Sequence, residues 1–195
     1  MTPDRLLAPL GGFAQFFRKR STLICTRCYL SCPRLITTED TEEVKATDFL
    51  DTARELLRSS RGAPRQANLR KACSAVYYAL FHTLCSTCAS ALSTRGTRRA
   101  WTQVYRSVDH GVASKKCKKL EDMGFPAEIV DFADLFVQMQ EKRHRADYDP
   151  HERLYKSSVE TDINAATAII AAFRKSPPRH RRAFAAFMVI KSRDT

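Results

Sequence analysis

The chain has little glycine and no stretch that alternates strictly between apolar and polar residues. Its 195 residues include six glycines, while 44% of them are hydrophobic. That composition excludes a disordered or low-complexity chain, because enough apolar surface is available to offset the entropy of folding. The lack of alternation argues against a half-buried sheet. We therefore expect one α-helical domain, since 195 residues suit a single core of ordinary size.

Negative charge is also in short supply. The sequence has 33 Lys and Arg against 21 Asp and Glu, a formal net charge of +12. From Arg174 to Thr195 there are seven Lys and Arg and one Asp. A basic balance raises the local concentration of polyanions such as RNA or DNA, although a basic tail also serves solubility. The charge thus favours an anionic partner without identifying it.

A membrane span and a secretory leader are expected to be missing. The uncharged stretch near the start, LLAPLGGFAQFF, has 12 residues, whereas a membrane helix needs about 18. The preceding MTPDR has no net positive charge, and RKR follows the stretch in place of a small-residue cleavage site. We expect no stretch long enough to cross a membrane, and a cytoplasmic protein.

Complete disulfide pairing is excluded, because the cysteines number seven. Free thiols are expected. Cys25, Cys28 and Cys32 lie near zinc-ligand spacing, and Cys85 and Cys88 form a second pair. The second pair falls in a predicted central helix, where cysteine serves as a small core residue, and the first three lack a fourth ligand. We expect no metal and no cofactor, with a zinc-clipped adaptor as a competing hypothesis.

Helical periodicity divides the chain into three parts. Residues 1–46 show no sustained period and are predicted to be a flexible extension. Residues 47–175 carry apolar positions at steps of three and four, which predict an antiparallel bundle of four to five helices. Residues 176–195 form a basic segment that contains RRAFAAFMVI, predicted to be a short helix or a strap packed on the bundle.

Five stretches within the middle part carry the helical pattern. The second is apolar nearly all round and is predicted to be the central, most buried helix. In chain order they are TDFLDTARELL, ANLRKACSAVYYALFHTLCSTCASAL, RRAWTQVYRSVDHG, PAEIVDFADLFVQMQEKRHRADY and the residues that follow SSVE.

Capping residues predict where these helices begin and end. Thr47 or Asp48 is placed to cap the first helix. Gly111 is expected to end the third helix, before the lysine-rich segment SKKCKK. Ser157 and Glu160 stand at capping-box spacing before the fifth.

Two of these stretches form a distinctive pair: RKACSAVYYALFH at 70–82 and RHRADYDP at 143–150. Over roughly residues 48–173 the chain resembles the HEPN domain family (higher eukaryotes and prokaryotes nucleotide-binding). The resemblance implies a helical bundle that forms a homodimer. It also implies one of two functions. The first is a metal-independent ribonuclease of toxin or defence type, and the second is a non-catalytic partner of a nucleotidyltransferase.

The candidate site is the stretch EKRHRADYDPH at 141–151. The resemblance implies an Arg-x4–6-His motif, in which the arginine holds the scissile phosphate and the histidine transfers a proton. From Arg145 the count leads to His151, so these two are the candidate catalytic pair. From Arg143 the required positions hold Tyr, Asp and Pro. Phosphate or RNA binding is expected of Arg143, His144, Arg145 and Tyr148.

A structural role is the alternative for the same stretch. Lys142, Arg143 and Arg145 suit the negative C-terminal end of a helix, and Asp147 and Asp149 suit the amides of a turn. The sequence thus leaves open a protein that binds RNA or another phosphate ligand, a metal-independent endoribonuclease, and a non-catalytic interaction module.

Other aromatic and basic residues have simpler interpretations. Tyr77, Tyr78, Phe81 and His82 are predicted to pack in the core rather than to stack on bases. The runs SKKCKK and RKSPPRHRR are typical of solvated faces. They extend a nucleic-acid surface only if the fold brings them beside 141–151.

Overall fold

The structure is a computed structural model that describes residues 45–59, 62–93, 97–120 and 123–190. Within these ranges there are seven α-helices and no strand, which confirms the all-α prediction. The described residues belong to one compact unit, Glu43–Thr195. Most of the predicted extension lies outside them. The helices are α1 Ala46–Arg58, α2 Gln66–Leu92, α3 Arg98–Ser107, α4 His110–Cys117, α5 Ala127–Tyr148, α6 Lys156–Lys175 and α7 Pro178–Val189.

Helix α2 is the central helix, as predicted. It packs against α1, α3, α5, α6 and α7. Val76, Leu80 and Leu84 are fully buried along it. Burying side chains of this size contributes about 1.5–3 kcal/mol each, so α2 organises the core and positions whatever its polar residues touch.

The expectation that no stretch is long enough to cross a membrane is wrong, because α2 is long enough. Residues 72–94 contain no Asp, Glu, Lys or Arg. Among the described helices, α2 alone is long and apolar enough for a span, and 61% of its most apolar window is buried inside the protein. A core helix passes the same test of length and composition.

The third predicted helix divides into two, which is one reason why the count exceeds four or five. Helix α3 ends at Ser107, and the Oδ1 of Asp109 accepts the N–H of Val112 at 2.9 Å, which caps the start of α4. Gly111 therefore lies in the first turn of α4, and the prediction that it ends a helix is wrong. An aspartate N-cap satisfies a donor that the helix start leaves unpaired.

Two other predicted caps have different outcomes. The Asp48 carboxylate accepts the N–H of Lys45 at 2.7 Å, so this residue closes the start of α1. The capping box predicted at Ser157 and Glu160 is wrong, because α6 already begins at Lys156 and has no side-chain cap. Glu160 instead forms an ion pair with Lys156 at 3.7 Å, the i,i+4 spacing at which opposite charges meet on a helix.

The segment RRAFAAFMVI lies in a packed helix, α7. Phe184 is fully buried in the core that α7 shares with α2. At the other end, the Nζ of Lys116 donates to the carbonyls of Phe187 at 2.7 Å, Met188 at 3.1 Å and Ile190 at 2.6 Å. A lysine on α4 thereby satisfies carbonyls that the C-terminus of α7 leaves unpaired.

Candidate functional site

A cleft of about 570 Å³ lies where α2, α4 and α5 meet. This volume falls within the range of small-ligand sites. Positions 140, 141, 144 and 145 follow helical steps of one, three and four, so one side of α5 contributes them together. The cleft is lined by Tyr77, Tyr78, His110, Gln140, Glu141, Arg143, His144 and Arg145.

Arg143 is the most firmly held cation of this cleft. Its Nε lies 2.7 Å from Oδ2 of Asp147, and its Nη2 donates to the hydroxyl of Tyr78 at 3.3 Å. The guanidinium carbon lies 6.0, 5.8 and 5.7 Å from the ring centres of Tyr77, Tyr78 and Tyr148, within the range of cation–π attraction. One carboxylate and three aromatic rings thus fix the guanidinium in place.

Asp147 is held in place by Ser74 of α2 and does not cap the turn. The Oγ of Ser74 donates to its Oδ1 at 2.8 Å. The side chains of Arg143 and Asp147 are 25% and 15% exposed, so solvent screens their attraction less than that of a surface pair. A phosphate that binds Arg143 must therefore share the guanidinium with this carboxylate.

The predicted catalytic residues Arg145 and His151 lie in different surroundings. Arg145 lines the cleft, and its Nε lies 3.7 Å from Oε1 of Glu152. His151 is exposed in the turn after α5, where its backbone N–H donates to Oδ1 of Asp149 at 2.8 Å. The cleft lining thus includes Arg145 but not His151. Their joint role in catalysis stays a prediction.

His144 and Tyr148, the other two predicted binding residues, are neighbours. Their ring centres lie 4.9 Å apart. Tyr148 is 65% exposed and its ring also faces Arg143. An accessible aromatic face beside a guanidinium is the arrangement on which unpaired bases stack in single-strand binding proteins.

Lys142, Asp147 and Asp149 of the same stretch contact other groups of the protein. Lys142 turns to α6, where its Nζ lies 2.5 Å from Oδ2 of Asp162. Asp149 receives the turn amide as predicted. The prediction for Asp147 as a turn cap is wrong, because its carboxylate is taken by Ser74 and Arg143.

Arg70, which sequence reasoning missed, holds the turn after α5 in place. Its Nη1 donates to the carbonyls of Ala146 at 2.8 Å and Asp149 at 2.7 Å, and its Nη2 to those of Pro150 at 3.3 Å and Glu152 at 2.6 Å. One guanidinium thereby satisfies carbonyls at the helix end. These partners lie 76 to 82 residues away in the chain, so local pattern gave no signal.

His110 is the second residue that sequence reasoning missed. Its Nδ1 lies 2.6 Å from the hydroxyl of Tyr77, and its ring stacks on Phe81 with 3.8 Å between centres. Burial raises the pKa of Tyr77 well above its ordinary value, so the hydroxyl keeps its proton. A buried hydroxyl needs an acceptor, and we assign Nδ1 to that role. The proton of the neutral imidazole then lies on Nε2.

The neutral form of His110 is favoured by its surroundings. Burial lowers its pKa, the carboxylate of Asp109 opposes this, and Arg143 lowers it again. The net direction is downward, so near pH 7 this histidine presents an uncharged ring to the cleft. No local sequence pattern marks it, because its contacts are to Tyr77 and Phe81 on α2.

The other aromatic residues of α2 pack largely as predicted. His82 stacks on Phe49 with 4.6 Å between ring centres, and its Nδ1 contacts the hydroxyl of Tyr105. Tyr77 is 1% exposed. Tyr78 is half-buried and keeps ring surface at the cleft.

Only two of the five cysteines named in the zinc hypothesis, Cys85 and Cys88, lie in the described part of the chain. Cys85 and Cys88 are buried in α2, and burial is the main cause that raises their pKa values to about 12. They are therefore protonated core thiols. In the part of the chain that the structure describes, no cluster of three His, Cys, Asp or Glu is placed to hold a metal. Cys25, Cys28 and Cys32 lie outside that part.

The two stretches that carry the HEPN resemblance contact each other in the structure. Ser74 and Tyr78 of the first meet Asp147 and Arg143 of the second. Neither a family model, nor a curated protein, nor a solved structure matches the chain. The resemblance therefore depends on these residues alone and stays a prediction.

Proposed function

We propose that this chain is a HEPN-like helical protein that binds RNA or another phosphate ligand in the cleft between α2 and α5, without cleaving it. The observation that carries the proposal is the guanidinium of Arg143, held within 6.0 Å of three tyrosine ring centres at a cleft of ligand size. Guanidinium groups bind phosphate bidentately, and tyrosine rings stack on unpaired bases.

The neighbouring side chains support a nucleotide-sized ligand rather than an isolated ion. Arg145 adds a second guanidinium to the lining, and its side chain is 57% exposed. Tyr148 offers an accessible ring beside Arg143. In the bound state a phosphate contacts the two arginines while a base stacks on Tyr78 or Tyr148.

Binding without cleavage is favoured by the placement of His110 and His151. RNA cleavage without a metal needs a group that accepts the proton of the attacking hydroxyl. The Nδ1 of His110 is already hydrogen-bonded to the hydroxyl of Tyr77, and His151 does not line the cleft. His144 also lines the cleft, so the endoribonuclease stays the alternative.

A binding assay tests the proposal. Fluorescence anisotropy of a labelled single-stranded RNA, in EDTA, compares the unchanged protein with Arg143→Gln and with Arg145→Gln. Loss of one charged hydrogen-bonding contact weakens binding roughly 10-fold or more. Arg58→Gln, an exposed arginine on α1 outside the cleft, is the charge-matched control and keeps the original affinity. Equal affinities for all four proteins would refute the proposal.

The same RNA, recovered after the assay, separates the alternatives. Intact RNA supports binding alone. Fragments with cyclic-phosphate ends that disappear in Arg145→Ala and His151→Ala would establish the ribonuclease instead. Failure of the unchanged protein to bind RNA would leave the non-catalytic partner of a nucleotidyltransferase. We also propose a homodimer, as the resemblance implies, which sedimentation equilibrium checks.

A further inference from the structure

A second concave surface, the arginine groove, lies at the C-terminal end of α2, where α6 and α7 meet it. Its volume is about 310 Å³. None of its residues lines the α2–α5 cleft. Three guanidinium groups and three hydroxyl groups face it, and no carboxylate does. The lining consists of Ser86, Thr87, Ser90, Ala91, Arg174, Pro178, Arg181 and Arg182.

Positive charge is uncompensated around this groove. Helices α2, α3 and α7 contain no Asp or Glu, and α6 contains none after Asp162. Among the described residues no carboxylate forms an ion pair with Arg174, Arg181 or Arg182. Like charges gathered at one concave surface repel each other, and a bound anion relieves that repulsion.

Helix-end electrostatics explains only part of the cluster. Arg174 lies in the last turn of α6, where a cation is favourable, and Arg181 donates to the carbonyl of Arg174 and so closes that helix. Arg182 has the opposite placement. It follows the first turn of α7, a turn that contains no acidic residue, and cations are unfavourable near a helix N-terminus.

The hydroxyl side of the groove is also placed to meet an anion. Thr87 and Ser90 lie three residues apart on α2, which puts them on one face of the helix. The Oγ of Ser90 accepts the indole N–H of Trp101 at 3.2 Å, so its own O–H is left to donate. Hydroxyl donors beside guanidinium groups are a common phosphate-binding combination.

We infer that the arginine groove binds a phosphate group, held by the guanidinium groups of Arg174 and Arg182 and by the hydroxyls of Thr87 and Ser90. The site is separate from the α2–α5 cleft and needs no contribution from it. The phosphate comes from a nucleic-acid backbone or from a free nucleotide, since both present the same oxygens to the groove.

Isothermal titration with inorganic pyrophosphate tests the groove. Every protein in the series carries Arg143→Gln, which weakens binding in the cleft, so that a difference between the proteins reports on the groove. The groove variant is Arg174→Gln with Arg182→Gln, which leaves the structural Arg181 unchanged. The control has the same charge change, Arg153→Gln with Arg179→Gln, two exposed positions outside the groove.

We expect the Arg143→Gln protein and the control to bind pyrophosphate, and the groove variant to bind it at least roughly 10-fold more weakly. No binding by the Arg143→Gln protein would overturn the inference. An equal loss in the groove variant and the control would also overturn it, because general charge would then explain the heat. Neither result bears on the cleft, which the RNA assay tests independently.

A competition experiment identifies the source of the phosphate. A short single-stranded RNA is titrated into the pyrophosphate-bound Arg143→Gln protein. Displacement of the pyrophosphate supports a nucleic-acid backbone as ligand, and retention supports a small phosphate compound. Both results support phosphate binding in the groove and differ only in its source.

Discussion

At the scale of single residues, Arg143 is both a structural and a binding side chain. Its ion pair with Asp147 balances its charge when no ligand is bound. Because the carboxylate competes with phosphate for the guanidinium, we predict that Asp147→Asn strengthens RNA binding by roughly 3- to 10-fold. The amide still accepts from Ser74. Anisotropy measures the change, and Glu55→Gln on α1 is the control with the same charge change.

Unchanged or weaker binding in Asp147→Asn would contradict this prediction. An equal gain in Glu55→Gln would show that only the net charge matters. In either case Asp147 would not be the residue that sets the RNA affinity of the cleft.

Arg70 is the residue whose loss should most disturb the turn. Arg70→Lys keeps the positive charge but not the fork that reaches four carbonyls. We predict that the free energy of unfolding falls by about 2–4 kcal/mol, since hydrogen bonds to charged groups each contribute about 1.5–3 kcal/mol and do not add fully. Urea denaturation measures it. Lys71→Gln, at the exposed neighbouring position, should change stability by less than about 0.5 kcal/mol.

Two histidines with lowered pKa values make stability depend on pH. Burial lowers the pKa of both His82 and His110 in the folded protein, whereas the unfolded chain has values near 6.5. Below about pH 6.5 the unfolded chain therefore binds more protons, and the free energy of unfolding falls as the pH is lowered. Denaturation between about pH 7.5 and 5.5 should show this, with a shallower slope in His82→Gln; an unchanged slope in His82→Gln would contradict the prediction.

The residues of the site that share one helix end could be predicted from the sequence, and those that come from other helices could not. Arg143, His144 and Arg145 were expected together because they share one helix end, and all three line the cleft. Arg70 and His110 reach the site only through contacts between distant parts of the chain. Such contacts depend on how the helices pack, which the local periodicity of a sequence does not specify.

At the scale of elements, the long helices were predictable and the short ones were not. Helices α2 and α5 carry their apolar residues at regular steps over 27 and 22 residues. Helix α4 has eight residues and depends on the cap from Asp109, beside a glycine that usually marks a helix end. The cap and the packing of α4 against α5 and α7 together outweighed the local propensity.

Lys116 gives an element-scale prediction, because it ties α7 to α4. Burial lowers the pKa of this lysine, and its ammonium group donates to three carbonyls at the end of α7. We predict that Lys116→Met lowers the free energy of unfolding by about 1–3 kcal/mol. Hydrogen exchange should locate the loss in α7. Lys115→Met, exposed on the same helix, is the control, and equal effects in both variants would contradict the prediction.

At the scale of the whole molecule, α2 connects the fold to both proposed sites. Its middle contributes tyrosines to the cleft, and its C-terminal end contributes hydroxyls to the arginine groove. The sequence correctly predicts that this helix is central. It does not show that RKSPPRHRR gathers arginines opposite those hydroxyls, because that depends on how α6 and α7 return to α2.

The position of the ligand is the central claim, and photocrosslinking tests it most directly. Single-stranded RNA that contains 5-bromouridine is bound, irradiated and digested, and mass spectrometry locates the adducts. Because bases are expected to stack beside Arg143, we predict adducts on Tyr78 or Tyr148, with a reduced yield in Arg143→Gln. Adducts confined to aromatic residues away from the cleft, such as Trp101 or Phe187, with neither tyrosine modified, would contradict the account.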